Sequence, residues 1–245
     1  MVFSDLAFGA LAALAATSLG SAALLVFKKI SNAMRSAMLA FAAGMMAYSS
    51  LEMLIQSQAS SSNAVIITGV LLGVLALFAA DKILPHAHAH FRGKELMEAK
   101  RKVLLVAGAI CIHNIPEGFA IASAFAGSTP LGWIVTLSIA LQDIPEGLLI
   151  SVPIAAYGIS LQRSFGFGVF SGVIEAAAAI AGFVFLSFFA GIAPLALAFS
   201  AGAMGYVILA ELLPDAFSNR MERVATLSFA AGALVAFTAA SLLAF

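Results

Sequence analysis

Apolar runs long enough to cross a bilayer recur eight times in this chain, at about 6–27, 34–55, 64–80, 103–126, 131–157, 164–188, 191–213 and 224–245. A hydrocarbon core takes roughly 20 residues of helix to span. Inside it the backbone must satisfy its own hydrogen bonds, so the pattern dictates a helical bundle. The expected fold class is all-α, a polytopic membrane protein of about eight transmembrane helices. Composition agrees, with 10% charged residues against about 25% in an ordinary soluble domain. Connections are short except for the polar stretch at about 81–102, so residues 1–245 read as one transmembrane domain. A formal net charge of zero argues against nucleic acid as a partner. The single cysteine, Cys111, excludes an internal disulfide framework and a thiolate metal cluster. Lys28 and Lys29, the first positive charges, follow the first apolar run, which therefore reads as a permanent span and not as a cleaved signal.

Basic residues give the orientation. All 12 Lys and Arg fall between spans one and two, three and four, five and six, or seven and eight. Loops rich in Lys and Arg stay in the cytoplasm. The 81–102 loop is therefore expected inside and both termini outside, with Trp133 as an outer interfacial anchor. The alternation also supports the span count, since one missed helix would break it.

Residues 113–118 read HNIPEG and residues 142–147 read QDIPEG, 29 positions apart near the middles of consecutive, antiparallel spans. An internal repeat of opposite orientation is a common construction at transporter binding sites. Pro116 cannot donate to the carbonyl of Ile112, nor Pro145 to that of Leu141, so both helices are expected to kink. Gly118 and Gly147 allow another helix to approach. His113 and Glu117 share one helical face, as do Gln142 and Glu146. Asn114 and Asp143 lie about 100° around from those faces. If the two helices face one another, their donors converge.

Glu117, Asp143, Glu146 and Glu175 all lie at mid-membrane depth. Each ionised acid there costs about 2.5–3.5 kcal/mol on insertion scales, or about 10–14 kcal/mol for four. No Lys or Arg occurs at that depth. The acids are then either protonated, hydrogen-bonded between helices, or neutralised by a cation from solution. Carboxylates alone suit calcium, magnesium or sodium. His113 adds an imidazole, which favours zinc, iron, copper or nickel, and two carboxylates can bridge two metals.

On these motifs the chain resembles the ZIP (Zrt/Irt-like protein) family of divalent metal transporters. HNIPEG in the fourth span and QDIPEG in the fifth carry the resemblance, with eight spans, outward termini and a histidine-bearing cytoplasmic loop. It covers essentially the whole chain and is nearest to the bacterial branch with a binuclear centre. The resemblance implies one metal on His113, Glu117, Glu146 and Met46 (favoured over Met45), with Gln142 a further ligand. It implies a second metal on Asn114, Asp143 and Glu175, bridged by Glu117 and Glu146. It also implies inverted three-helix repeats around the central proline-kinked pair, and an elevator-like movement of spans one, four, five and six against the rest. Asp81, His86 and His88, with Glu211 on span seven, would receive the departing ion. His90 is less firmly placed in that set, and a solvated polar turn is the alternative reading of the loop. Many relatives carry histidine at Gln142 and asparagine at Asp143, and HE where this chain has Ala210 and Glu211.

The expected function is transport of divalent ions, zinc foremost with Fe²⁺, Mn²⁺ or Cd²⁺ as alternatives, toward the cytoplasm across a plasma membrane (the inner membrane of a bacterium). The metal is cargo and no catalytic cofactor is expected. Other expected partners are the lipid bilayer and, as an open case, a second copy in a homodimer. Two other readings compete. One is a proton- or sodium-coupled carrier of an organic solute. The other is an intramembrane metalloenzyme, disfavoured by the lack of an HExxH pair.

Overall fold

The computed structural model describes residues 3–83, 113–189 and 191–243, and every regular element among them is helical. They are α1 (Phe3–Ala22), α2 (Asn32–Ser60), α3 (Asn63–Ile83), α4 (113–127), α5 (Thr129–Ala156), α6 (Leu161–Phe188), α7 (Ala193–Val207), α8 (Leu213–Ala216) and α9 (Glu222–Leu243). A π turn at Ile208–Leu212 joins α7 to α8 into one crossing, and a short 3₁₀ turn, Ala23–Leu25, extends α1. Seven crossings among the described residues are long and apolar enough to span a membrane. The chain is therefore an all-α polytopic membrane protein. The fourth expected span is represented by α4, and its first part, 103–112, lies outside the described residues.

Helix limits follow local chemistry. Ser31, Ser128 and Ser160 cap α2, α5 and α6, each hydroxyl accepting from the backbone N–H three residues on, which satisfies one orphan donor of the first turn. Pro130 sits in the first turn of α5, where its missing N–H costs nothing. Two of the boundaries that shift from the sequence expectation matter here. The second span continues to Ser60, because polar Gln56 and Ser57 do not end a helix whose Ser57 hydroxyl bonds the Pro194 carbonyl. The third continues to Ile83, so Asp81 lies in a helical turn and not at the head of a loop. The α5 helix runs unbroken through Pro145 and Pro153.

The helices sort by packing into two groups. In one, α1 lies along both α5 and α6. In the other, α2 lies along α9, α3 along α7, and α2 also along α7. The two groups touch where α2 crosses α5, and α4 packs on both, with Gly118 against α6 and with Ser123 and Phe119 against Ser200 and Phe199 of α7. Apolar association has little driving force in lipid, so packing and hydrogen bonds between helices hold such a bundle. Small residues permit it here. Gly44 rests on the Phe229 carbonyl while Gly232 of the partner helix rests on that of Phe41. One core cluster, including Leu6, Met46, Ile121, Ile139, Leu197 and Met204, joins both groups. Outward faces such as Leu71 and Leu75 of α3 and Leu234 of α9 stay exposed, as lipid-facing residues should.

Candidate metal centre

The two motifs do meet. Glu117 of α4 and Asp143 and Glu146 of α5 each bring one carboxylate oxygen within 4.8 Å of the others. Glu117 and Asp143 are buried and Glu146 is half-buried. A point equidistant from three atoms at that limit is about 2.8 Å from each, so a contraction of about 0.6–0.8 Å gives the 2.0–2.2 Å of a Zn–O bond. The Gln142 Nε2 donates to Glu117 Oε1 at 2.7 Å, tying α5 to α4 at this level.

Glu175 of α6 adjoins this group of three, beside Asp143 and Asn114. Its arrival has a local cause. A Cβ on Gly118 would collide with the Glu175 carbonyl, so the backbones of α4 and α6 cross one residue beyond Glu117. Gly147, the equivalent position in the second motif, does the same for α1, whose Thr17 carbonyl fills the space of the missing Cβ. The glycine that closes each motif is thus a crossing point. Asn114 is held by Ser171 of α6, whose hydroxyl donates to its Oδ1 at 3.0 Å.

What remains unsatisfied defines the site. Glu117 Oε2, Gln142 Oε1, both Asp143 oxygens and both Glu175 oxygens are buried and accept no hydrogen bond among the described residues. All six are acceptors. Leaving a buried polar atom unpaired costs about 1–3 kcal/mol, and more when it is charged. Apart from His113, the nearest basic residue on these three helices is Arg163, 12 residues before Glu175 and roughly 18 Å away along α6. Among the described residues, unpaired acceptors with an imidazole beside them and no Lys or Arg at that level fit a metal ion better than an anion or a neutral solute.

The other part of the site faces the second helix group. His113 Nε2 is in direct contact with Glu211 Oε2 of the π turn. Glu211 was expected at the inner exit, and it reaches the central histidine because the chain between Val207 and Leu213 is wound as a π turn. There the Leu213 N–H bonds the Ile208 carbonyl, five residues back. Such turns are frequent at functional sites. Pro214, which has no N–H to continue a regular ladder, was the available sequence signal. Asp81 accepts from the Tyr206 hydroxyl at 2.8 Å, a contact that no sequence motif announced. Met46 and Met45 are both buried, and Met46 is the one in the core cluster with α4 and α5. His86 and His88 lie outside the described residues.

Residues 84–244 match the family described as ZIP Zinc transporter. The chain belongs to the ZIP family. The zinc transporter ZIPB of Bordetella bronchiseptica is 36% identical over 237 residues, which cover 91% of this chain and 76% of ZIPB. The zinc transporter ZupT of Chlorobium phaeovibrioides is 33% identical over 240 residues, 89% of this chain and 90% of that protein. A putative zinc transporter of Arabidopsis thaliana is 31% identical over 199 residues, 77% of this chain. The chain spans 32% of the length of that plant protein and 63% of the zinc transporter GufA of Myxococcus xanthus. The family's description as a zinc transporter counts against the metalloenzyme reading.

Proposed function

We propose that this chain carries divalent transition-metal ions, zinc foremost, across a membrane toward the cytoplasm. The six buried acceptor oxygens without partners, gathered from α4, α5 and α6, carry the reading. The names of the similar proteins support zinc. His113 in the same site favours a transition metal over calcium or magnesium.

The centre holds two ions on this reading. His113, Glu117, Glu146, Met46 and Gln142 serve one, and Asn114, Asp143 and Glu175 the other, with Glu117 and Glu146 between them. The separate packing of α1, α5 and α6 supports their movement as a unit against α2, α3, α7 and α9. The contact between His113 and Glu211 crosses from one unit to the other. An ion leaving the centre would meet Glu211 first and then Asp81, with His86 and His88 beyond. The termini lie outside and the whole of 1–245 acts as one transport domain in a plasma membrane.

Uptake of zinc into proteoliposomes tests this. Glu117→Ala and His113→Ala should each abolish uptake while the protein still elutes as a folded species. Uptake at the normal rate in both variants would remove the proposal, and solute uptake independent of transition metals would favour the coupled-carrier alternative.

A further inference from the structure

At the end of α1 away from both termini, the 3₁₀ turn Ala23–Leu25 leads into Val26, Phe27, Lys28 and Lys29. Leu25 and Val26 are 67% and 77% exposed, and Phe27 is 43% exposed. Three exposed apolar side chains followed by two lysines are the composition of a membrane interface, where the first group enters hydrocarbon and the second meets headgroups.

A groove of about 290 Å³ opens beside this turn. Leu24 and Phe27 line it from the turn, Val152 and Ala155 from the end of α5, and Leu161 from the start of α6. Its floor is firm, because Leu24 and Val152 belong to a buried apolar cluster with Leu148. Lys28 is the one charged residue on its wall. Lys29 follows in sequence, and Arg163 lies two residues beyond Leu161 in the first turn of α6. All three cations are exposed, and among the described residues no carboxylate forms an ion pair with them. The one Lys or Arg ion pair there joins Arg35 to Asp215, on α2 and α8.

We propose that this groove is a binding site for one anionic phospholipid, with an acyl chain against Leu24, Phe27, Val152 and Ala155 and the phosphate on Lys28 and Lys29. An apolar slot with a cationic rim at the headgroup level matches that ligand on both counts. A zwitterionic lipid would fill the slot without answering the charge. A soluble phosphate would answer the charge without filling the slot. Each basic residue near a membrane surface strengthens anionic-lipid attachment by about fivefold. The site is built from α1, α5 and α6, the helices that pack together around the metal centre, so a lipid bound there would accompany that group and not the α2, α3, α7 and α9 group.

Native mass spectrometry of detergent-purified protein tests the site without any metal present, so its outcome is independent of the transport proposal. The probes are dioleoyl phosphatidylglycerol and dioleoyl phosphatidylcholine added at equal concentration. The wild type should retain the anionic lipid preferentially, and the Lys28→Gln/Lys29→Gln double variant should lower that preference by about 25-fold. Ala155→Phe, which fills the slot and leaves the charges, should reduce retention of both lipids. Lys82→Gln, a charge change on α3, should leave the preference intact. Equal retention of the two lipids by the wild type would overturn the proposal. So would an undiminished preference in the double variant, or displacement of the lipid by millimolar glycerol phosphate.

Discussion

The carboxylate part of the centre and its histidine part are built on opposite plans. Asp143 and Glu175 are fully buried, held by helices of one packing group, and left with acceptors that receive no hydrogen bond among the described residues. His113 is 21% exposed and touches Glu211, a residue of the other group, across the boundary between them. The difference teaches a division of labour. On the proposed reading, oxygen ligands locked among α4, α5 and α6 would determine whether an ion is held. On the same reading, a contact that spans the two groups would determine whether the held ion leaves.

Substitutions can break that division. The largest effect should come from Glu117→Ala. Losing an outer-shell partner of a metal ligand costs about 10–100-fold in affinity. Glu117 stands at the meeting point of both motifs, so its loss should exceed that range in zinc binding by calorimetry and in uptake. Next comes Gly118→Ala. Its methyl group has no room against the Glu175 carbonyl, so α6 must move. Overpacking of this kind costs about 1–3 kcal/mol, visible as a lower melting temperature, with zinc affinity falling in parallel. Glu211→Gln should separate the two parts. Binding at the centre should fall by about 10–100-fold, as expected for the loss of an outer-shell partner of His113. Uptake should fall further than binding. Equal losses in both would erase the distinction. The smallest effect should follow Ser171→Ala, which removes the hydrogen bond to Asn114 and should cost about 1 kcal/mol, or about fivefold in affinity.

The legible parts of this structure are those set by the bilayer and by short-range pattern. Span positions and the depth of the four acids followed from lipid, which penalises charge wherever it sits. The convergence of Glu117 with Glu146 followed from two antiparallel copies of one motif. Residue by residue, Glu175 was readable only as an acid at the wrong depth, and the family resemblance supplied its partners Asn114 and Asp143, because the crossing at Gly118 depends on a helix 57 residues further along. The contact between His113 and Glu211 was hidden for another reason. Reading α7 with regular helical spacing points Glu211 elsewhere, and only the π turn, hinted at by Pro214, brings it to the histidine. Tyr206 carried no signal at all, since a tyrosine within an apolar run reads as packing.

The claim that an ion neutralises the buried carboxylates is tested most directly by anomalous diffraction at the zinc edge from crystals of zinc-loaded protein. The account predicts peaks among Glu117, Asp143, Glu146 and Glu175, with ligand distances near 2.0–2.2 Å, and their loss in Glu117→Ala. Zinc bound only elsewhere, with this cluster unoccupied in saturated crystals, would contradict it.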